Sequence, residues 1–281
     1  MNYKNGLVIE GGGLRGVFAS GVVDGLLKKD IMLEYVIGTS MGACNGANYV
    51  SRQYKRAYNT TVKYANDKRY MGMEHMIKNG SYFNMDFIYD KLPYTLEKFD
   101  FQEFKGNDIQ YKMVLTNLKT GKAEYFDKYE GSTLKLMQAS TSLPFMSKKV
   151  LYKENYYLDG GIADSIPVKK AIEDGVDKVI IILTRDKDYR KEPSKSYKLG
   201  KLFYSKYPNF NDAMRDRHEH YNSTLDYIEG LDSNKVLVIR PDTAINIKRV
   251  EKDTDKLDAV YKMGMDYVDR NYTKILKFLN N

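Results

Sequence analysis

Residues 6–16 read GLVIEGGGLRG, and residues 33–42 read LEYVIGTSMG. Each stretch is a short apolar run that ends in glycine. The first is followed by apolar residues at helical spacing, and the second by a series of small residues typical of a closely packed helix. A strand, a glycine turn and a helix therefore occur twice near the beginning of the chain. This alternation predicts a parallel sheet with helices packed on its faces.

The rest of the chain continues the alternation. Residues 57–105 are expected to be mostly helical and to cover the core, with Pro93 as a break. Further predicted elements are a hairpin around residues 119–121, a short helix at 133–140, strands at 156–158, 178–184 and 236–239, and an amphipathic helix near the C-terminus. The expected fold class is α/β, with three layers (α/β/α) and a mostly parallel central sheet.

The chain has 281 residues, of which 42% are hydrophobic, and this is enough for one large core. It contains no linker-like tract, no repeat of fixed period and no low-complexity segment. We therefore expect a single domain over residues 1–281, with a covering insertion at about 57–105 and a C-terminal helical region at about 245–281.

Cysteine content and hydropathy bear on the compartment. Cys44 is the only cysteine, so no disulfide forms within the chain. A strand-like run begins at Gly6, which leaves no room for a signal peptide. The longest aliphatic run, residues 179–183, is far shorter than the roughly 20 residues that a transmembrane helix needs. These features predict a cytoplasmic protein.

The net charge is +8, and such a basic balance suits anionic membranes, nucleic acid or acidic small molecules. A lysine-rich surface that only maintains solubility is the simpler interpretation. The best candidate for a basic patch is the segment 185–206, in which Lys and Arg outnumber acidic residues and aromatic residues are interspersed. We predict weak peripheral contact of this segment with anionic membrane, and no nucleic-acid partner.

The first glycine motif allows two functions. Gly11, Gly13 and Gly16 fit the pattern G-x-G-x-x-G directly after a strand and before a helix. The backbone N–H groups of such a turn bind either a pyrophosphate or the oxyanion of an acyl intermediate. A dinucleotide site needs an acidic residue at the end of the second strand, whereas Glu34 lies at the beginning of that strand. We therefore expect no nucleotide cofactor.

The second strand ends instead in G-x-S-x-G, the pattern of a nucleophile elbow, with Ser40 between Gly38 and Gly42. The turn is tight and exposes the serine hydroxyl, and the two glycines leave space where side chains would clash. Ser40 as an ordinary N-cap is the alternative. A cap does not need flanking glycines, so the pattern favours Ser40 as a nucleophile.

A nucleophilic serine needs a base. His75 lies in the irregular segment, and His218 and His220 lie among charged residues that indicate a solvated helix face. Asp159 is better placed, because it follows a short strand and precedes two glycines that permit close approach to another backbone. A turn aspartate before two glycines is the structural alternative.

Together these motifs resemble the patatin-like phospholipase family. The resemblance rests on residues 11–16, 38–42 and 159–161, with further similar blocks at 139–145 and 164–167, and it covers residues 6–184. It implies an α/β sheet flanked by helices, and the hydrolysis of lipid acyl esters by a Ser–Asp dyad without a metal or a cofactor.

The site residues that the resemblance implies have distinct roles. Ser40 is the nucleophile and Asp159 the base, while Arg15 gives structural or electrostatic support. The backbone amides of Gly11, Gly12 and Gly13 form the oxyanion hole. The remaining motif positions support these turns: Gly16, Gly38, Gly42, Gly160 and Gly161.

Two other functions remain open on the sequence. One is an α/β-hydrolase in which Ser40 works with an Asp and with His218 or His220. The other is a non-catalytic nucleotide- or lipid-binding module on the same fold, in which Ser40 is structural.

Overall fold

The computed structural model describes residues 2–280. Within them, eight strands form one sheet in the order β5-β6-β3-β2-β1-β7-β8, and β4 also pairs with β3. The strands are β1 (Tyr3–Ile9), β2 (Tyr35–Thr39), β3 (Gln110–Asn117), β4 (Ala123–Asp127), β5 (Val150–Tyr152), β6 (Asn155–Asp159), β7 (Val176–Ile182) and β8 (Val236–Ile239).

Five neighbouring strands, β3, β2, β1, β7 and β8, pair in parallel. β4 and β6 pair antiparallel with β3, and β5 pairs antiparallel with β6. The hairpin predicted around residues 119–121 is the β3–β4 connection. The strand β5 was not predicted, because three residues are too few to give a periodic pattern.

Helices cover both faces of the sheet. They are α1 (Val17–Lys28), α2 (Met41–Val50), α3 (Arg56–Thr61), α4 (Met73–Asn79), α5 (Phe101–Gly106), α6 (Thr133–Thr141), α7 (Val168–Glu173), α8 (Ser196–Phe203), α9 (Pro208–Glu229) and α10 (Thr254–Asn280). A π-type helix spans Phe87–Leu96, and single 3₁₀ turns lie at Gly13–Gly16 and Gly160–Ile162.

The alternation of side chains along β1 shows how the layers form. Leu7 and Ile9 belong to a core that also contains buried residues of α1, α2 and α10. Val8, which points to the opposite face, belongs to a second core with residues of α7 and α9. A strand buried on both faces is apolar throughout, as the GLVI run is. The predicted α/β/α fold with a mostly parallel sheet is confirmed.

The longest helix, α10, packs directly on α1. A Cβ atom on Gly21 of α1 would clash with the Tyr261 carbonyl oxygen, and one on Gly264 of α10 would clash with the Phe18 carbonyl oxygen. The two backbones therefore approach closely where these glycines meet. Tyr261 also donates from its hydroxyl to Asp24 at 2.7 Å, which joins the helices through a buried hydrogen bond.

The prediction that Pro93 breaks a helix is wrong. Pro93 is buried inside the π-type helix Phe87–Leu96. In an α-helix the proline ring would clash with the carbonyl four residues earlier, and proline has no N–H to donate. A π-type turn is wider and places its hydrogen bonds five residues apart, so the ring is accommodated. The helix continues to Leu96, where the Glu97 N–H donates to the Leu92 carbonyl at 2.8 Å.

None of the helices within residues 2–280 combines the length and the apolar character required to cross a bilayer.

Candidate active site

The predicted site residues meet at the carboxyl end of the parallel strands. The glycine turn follows β1, Ser40 follows β2, and Asp159 is the last residue of β6. Ile9 is opposite Gly38 in the β1–β2 register, and Asp159 is opposite Leu115 of β3. Because β2 lies between β1 and β3, the three loops open at the same edge of the sheet.

Ser40 occupies a strained turn between β2 and α2. Its φ is +56° and its ψ is −125°, a combination that non-glycine residues rarely adopt. The backbone N–H of Ser40 donates to the Ser140 hydroxyl at 2.9 Å, and that hydroxyl donates to the Val114 carbonyl at 2.7 Å. A Cβ on Gly42 would clash with the Ile9 carbonyl. The tight packing around the turn holds the strained conformation.

The side chains of Ser40 and Asp159 are hydrogen-bonded to each other. The Ser40 hydroxyl donates to Asp159 Oδ2 at 2.6 Å, and the Gly161 N–H donates to Asp159 Oδ1 at 2.8 Å. Both side chains are buried. Burial raises the pKa of Asp159, while the Ser40 hydrogen bond and the charge of Arg217 oppose this rise. The result is a carboxylate more basic than a solvated one, in contact with the serine hydroxyl.

The backbone of Asp159 is fixed on both sides. Its N–H donates to the Ser142 carbonyl at 2.8 Å, and its carbonyl accepts from the Thr116 hydroxyl at 2.9 Å. Gly160, the next residue, has no room for a Cβ beside the Val114 carbonyl. These contacts position the carboxylate toward Ser40.

The histidines lie elsewhere. His75 Nε2 lies 2.7 Å from the Lys68 carbonyl oxygen, and His218 Nδ1 lies 3.1 Å from that of Arg215. His220 is exposed. Within the described chain, neither cavity that contains Ser40 is lined by a histidine.

The glycine turn differs from the prediction at one position. The N–H of Gly11 donates to the Ser165 carbonyl at 3.0 Å, so this amide is not available to a ligand. The N–H groups of Gly12 and Gly13 donate to no acceptor within residues 2–280. Gly13 has a φ of +57° and lines both cavities that contain Ser40. Of the three amides predicted as oxyanion donors, those of Gly12 and Gly13 are the two without an acceptor among the described residues.

One of the two cavities beside Ser40 is apolar and has a volume of about 100 Å³. Its walls come from α2, α3, α6 and the π-type helix Phe87–Leu96. The apolar side chains that line it include Met41, Phe83, Ile88, Leu92 and Leu134. Part of the segment predicted to cover the core thus forms the wall of a cavity.

The other cavity has a volume of about 20 Å³ and is strongly cationic. Its charged lining consists of the carboxylates Glu10 and Asp159 and of five cations, which are Arg15, Arg185, Lys191, Arg217 and Arg249. We call these five residues the cation cluster.

Burial and mutual repulsion lower the pKa values of Arg15, Lys191 and Arg217 in the cation cluster. Burial lowers the pKa of Arg15 to about 10, with contributions from the charges of Arg185 and Arg249. Burial lowers the pKa of Lys191 to about 7, and Arg217 contributes. The local electrostatics therefore favour an added negative charge.

Two sequence-based expectations are wrong at this cavity. Residues 215–219 were interpreted as a solvated helix face, yet Arg217 of α9 lines the site, and its Nε donates to the Gly161 carbonyl. Residues 185–206 were treated as one basic surface, yet Arg185 and Lys191 line the cavity beside Ser40. The charged residues of a helix do not show which of its faces is buried. The spacing of the apolar residues between them identifies that face.

That spacing is visible on α9. Phe210, Met214, Tyr221 and Leu225 are buried and lie three, four or seven residues apart. Arg217 stands three residues after Met214 and four before Tyr221, on the same stripe. A cation on the buried stripe of a helix is the feature that predicts a functional role.

Two family models match the chain. The model described as Patatin-like phospholipase matches residues 7–172, which is more than half of the chain. The chain belongs to the patatin-like phospholipase family. A second model, described as a domain of unknown function (DUF6363), matches residues 207–280. This second region supplies Arg217 and Arg249 to the cation cluster.

Similar proteins include Uncharacterized protein YjjU of Escherichia coli (strain K12), 27% identical over 184 residues, which are 63% of this chain and 51% of that protein. Lysophospholipase NTE1 of Candida albicans is 26% identical over 284 residues, which are 95% of this chain and 20% of that protein. The chain thus spans about half of the first relative's length and a fifth of the second's. Among solved structures, VipD from Legionella pneumophila aligns with a TM-score of 0.49 and 13% identity over 96% of this chain and 67% of its own.

Proposed function

We propose that this chain hydrolyses acyl esters of lipids through a Ser–Asp dyad and an acyl-enzyme intermediate. The observation that carries the proposal is the 2.6 Å hydrogen bond from the Ser40 hydroxyl to the buried Asp159 carboxylate, at the mouth of an apolar cavity. The family, and the name Lysophospholipase given to a relative, support a lipid substrate. The apolar cavity is the site proposed for the acyl chain.

The first half of the reaction forms the acyl-enzyme. Ser40 Oγ attacks the ester carbonyl carbon while its proton passes to Asp159 Oδ2. The carbonyl oxygen becomes an oxyanion, for which the N–H groups of Gly12 and Gly13 are the proposed donors. The bond from carbon to the leaving oxygen then breaks, and Asp159 returns the proton to that oxygen, which releases an alcohol.

The second half of the reaction hydrolyses the acyl-enzyme and uses the same two side chains, Ser40 and Asp159. Water attacks the acyl carbonyl and gives a proton to Asp159, which passes it to Ser40 Oγ as the acyl–serine bond breaks. A fatty acid leaves and the free dyad is restored. The raised pKa of Asp159 suits this alternation, because a more basic carboxylate accepts each proton more readily.

Covalent labelling tests the nucleophile. A fluorophosphonate probe should add once to the native chain, and intact mass should show one adduct that peptide mapping assigns to Ser40. Ser40→Ala should not label. The matched control is Ser142→Ala, since Ser142 is a nearby buried serine whose hydroxyl donates to the Gln138 carbonyl and not to the dyad. An unlabelled native chain, or labelled Ser40→Ala, would show that the nucleophile is wrongly assigned.

We also propose that α8 makes peripheral contact with anionic lipid. Three apolar side chains on it, Leu199, Leu202 and Phe203, are exposed by 56%, 75% and 67%. The exposed cations around them are Lys195, Lys198, Lys201 and Lys206. An apolar ridge with flanking lysines is complementary to an anionic lipid surface.

A further inference from the structure

We infer that Arg217 is a positioning residue for the dyad: it holds the turn at Gly161 that orients the Asp159 carboxylate, and its charge stabilises that carboxylate. This inference rests on the proposed function, because Asp159 is the base of the proposed reaction. Three observations carry it. A hydrogen-bonded path joins Arg217 to Asp159, the charge of Arg217 has no closer acid within residues 2–280, and Arg217 comes from the second of the two matched regions.

Arg217 reaches Asp159 through one residue, Gly161. The Nε of Arg217 donates to the Gly161 carbonyl, and the Gly161 N–H donates to Asp159 Oδ1 at 2.8 Å. Asp159 Oδ2 remains for the Ser40 hydroxyl, which donates to it at 2.6 Å. The two carboxylate oxygens therefore have separate tasks, because one is held by the turn and the other accepts the serine proton. Movement of Gly161 would change the direction in which Oδ2 points.

The turn that carries Gly161 is short, a single 3₁₀ turn over Gly160–Ile162. Its Gly160 carbonyl accepts from the Thr116 hydroxyl of β3 at 3.3 Å. The Gly161 carbonyl accepts from the Ser165 hydroxyl at 2.8 Å and from Arg217. Ser165 follows Gly161 by only four residues, so Arg217 is the group that connects this carbonyl to a separate element, the helix α9.

Arg217 has no acidic partner at contact distance. No Asp or Glu oxygen within residues 2–280 lies within 4 Å of its side-chain nitrogens, whereas Arg215 on the same helix is ion-paired. Burial and the charge of Arg249 lower the pKa of Arg217, and the charge of Asp159 opposes them. The charge of Arg217 in turn opposes the rise that burial causes in the pKa of Asp159. Each charge therefore compensates the other across the turn.

Other charged or titratable groups also face Asp159. They are the remaining members of the cation cluster, Glu10 and Tyr221 in the same cavity, and Cys44 on α2. The charge of Arg249 opposes the rise in the pKa of Asp159, but less than that of Arg217 does. Within the described chain, Arg217 is the member of the cluster whose side chain donates to residues 159–161. It is therefore the cation that can act on the carboxylate both through its charge and through the turn.

The helix α9 lies outside the residues that the Patatin-like phospholipase model matches. That match ends at residue 172, and the match to the domain of unknown function begins at residue 207. Ser40 and Asp159 thus lie in the first region, and Arg217 lies in the second. The inference gives the second region a task in the reaction, because it supplies the residue that positions the base.

The pH dependence of turnover tests the charge of Arg217. Arg217→Gln should move the acidic limb of kcat/KM to higher pH by about 1–3 pH units, the effect of a neighbouring arginine on an aspartate. The limb moves upward because the carboxylate is harder to ionise without the cation. Arg217→Lys keeps the charge, so its limb should stay near that of the native chain. The matched control is Arg215→Gln, which removes an exposed, ion-paired arginine of the same helix and should leave the limb unchanged.

The plateau above the limb tests the hydrogen bond to the turn. There Asp159 is ionised in every variant, and Arg217→Gln should still lower kcat by at least about tenfold with little change in KM, because a misdirected base slows the chemical step. Arg217→Lys should recover part of this loss, since lysine can donate to the Gly161 carbonyl. A folded Arg217→Gln with native kcat, or one with lower kcat but an unshifted limb, would overturn the inference.

Titration of Asp159 by NMR separates the inference from the proposed function. In protein with isotopically labelled carboxyl carbons, the Asp159 resonance is the one missing from Asp159→Asn, and its midpoint should lie at higher pH in Arg217→Gln than in the native chain. If it does and the native chain hydrolyses no ester, the hydrolase proposal fails and the coupling stands. If the native chain hydrolyses esters and the midpoints are equal, the inference fails and the hydrolase proposal stands. Arg217→Met replaces Arg217→Gln in each test if the latter is not folded by circular dichroism.

Discussion

The turns that carry Ser40 and Asp159 are predictable from sequence because their surroundings are encoded locally. The elbow requires small residues at fixed positions on either side of Ser40, and the turn at Asp159 requires two glycines directly after it. Such requirements appear as short motifs. The role of Ser140 was not predictable in the same way, because its hydroxyl meets the Ser40 N–H only after residues 100 positions apart have folded together.

Removing the basicity of Asp159 should nearly eliminate esterase activity. Asp159→Asn keeps the shape of the side chain but cannot accept the serine proton, and a positioned acid–base group is worth about 10²–10⁴ in rate. Steady-state hydrolysis of a p-nitrophenyl ester measures the loss. Asp24→Asn is the control, since Asp24 is a buried carboxylate on α1 that bonds to Tyr261 and not to the dyad.

The rival Ser–His mechanism predicts that replacing the histidines abolishes activity, whereas the Ser–Asp dyad predicts that activity is kept. A triple variant of His75, His218 and His220 should keep its activity, because none of them lines a cavity with Ser40. Its activity should still rise with pH through one acidic limb, since Asp159 acts only when ionised and burial raises its pKa above the ordinary range. A folded triple variant without turnover, or an active Asp159→Asn, would refute the dyad.

At the scale of elements, the sequence predicts the type of most helices and strands, but not which face of a helix is functional. The strands β7 and β8 were predicted within two residues of their observed bounds because each contains an apolar run, residues 179–182 and 236–239. The helix α8 was not predicted as a separate element, because its eight residues lie within a generally basic segment. Only its packing distinguishes the buried Gly200 from the exposed apolar ridge.

The ridge on α8 should be necessary for binding to anionic vesicles. Leu202→Ser with Phe203→Ser should weaken binding to phosphatidylglycerol vesicles by at least about tenfold, because burying one such side chain is worth about 1.5–3 kcal/mol. Co-sedimentation at low salt measures the bound fraction. Leu151→Ser, an exposed leucine on β5, should bind as the native chain does. Equal binding of native protein to neutral phosphatidylcholine vesicles, or no loss in the double variant, would exclude this contact.

At the scale of the whole molecule, the organisation as one domain stays a prediction. The family models match two separate stretches, residues 7–172 and 207–280. In the structure these stretches share a core, because α10 packs on α1 and β8 extends the sheet beside β7. Sequence periodicity predicted α10 as amphipathic but not its partner, since the fit between Gly21 and Gly264 arises only from the crossing of two distant helices.

The close packing of α1 against α10 should contribute to the free energy of unfolding of the chain. Gly264→Ala should lower the free energy of unfolding by about 1–3 kcal/mol, the usual cost of overpacking, although alanine is the better helix former. Urea denaturation followed by circular dichroism measures the change. Gly106→Ala, where a Cβ meets nothing within 4 Å, is the control and should not destabilise. Esterase activity and circular dichroism should be lost at the same urea concentration if the chain is one cooperative domain.

The contact between the glycine turn and the segment before α10 has a consequence for biosynthesis. The Leu14 N–H donates to the Arg249 carbonyl at 3.1 Å, and β1 pairs with β7 as well as with β2. A ribosome delivers the N-terminal strand first, at about 5–20 residues per second. The nascent chain therefore carries the glycine turn without its contact to Arg249 until residue 249 has emerged. A contact of the loop beside Ser40 is thus made late in synthesis, after β1, β2 and β7 have already been delivered.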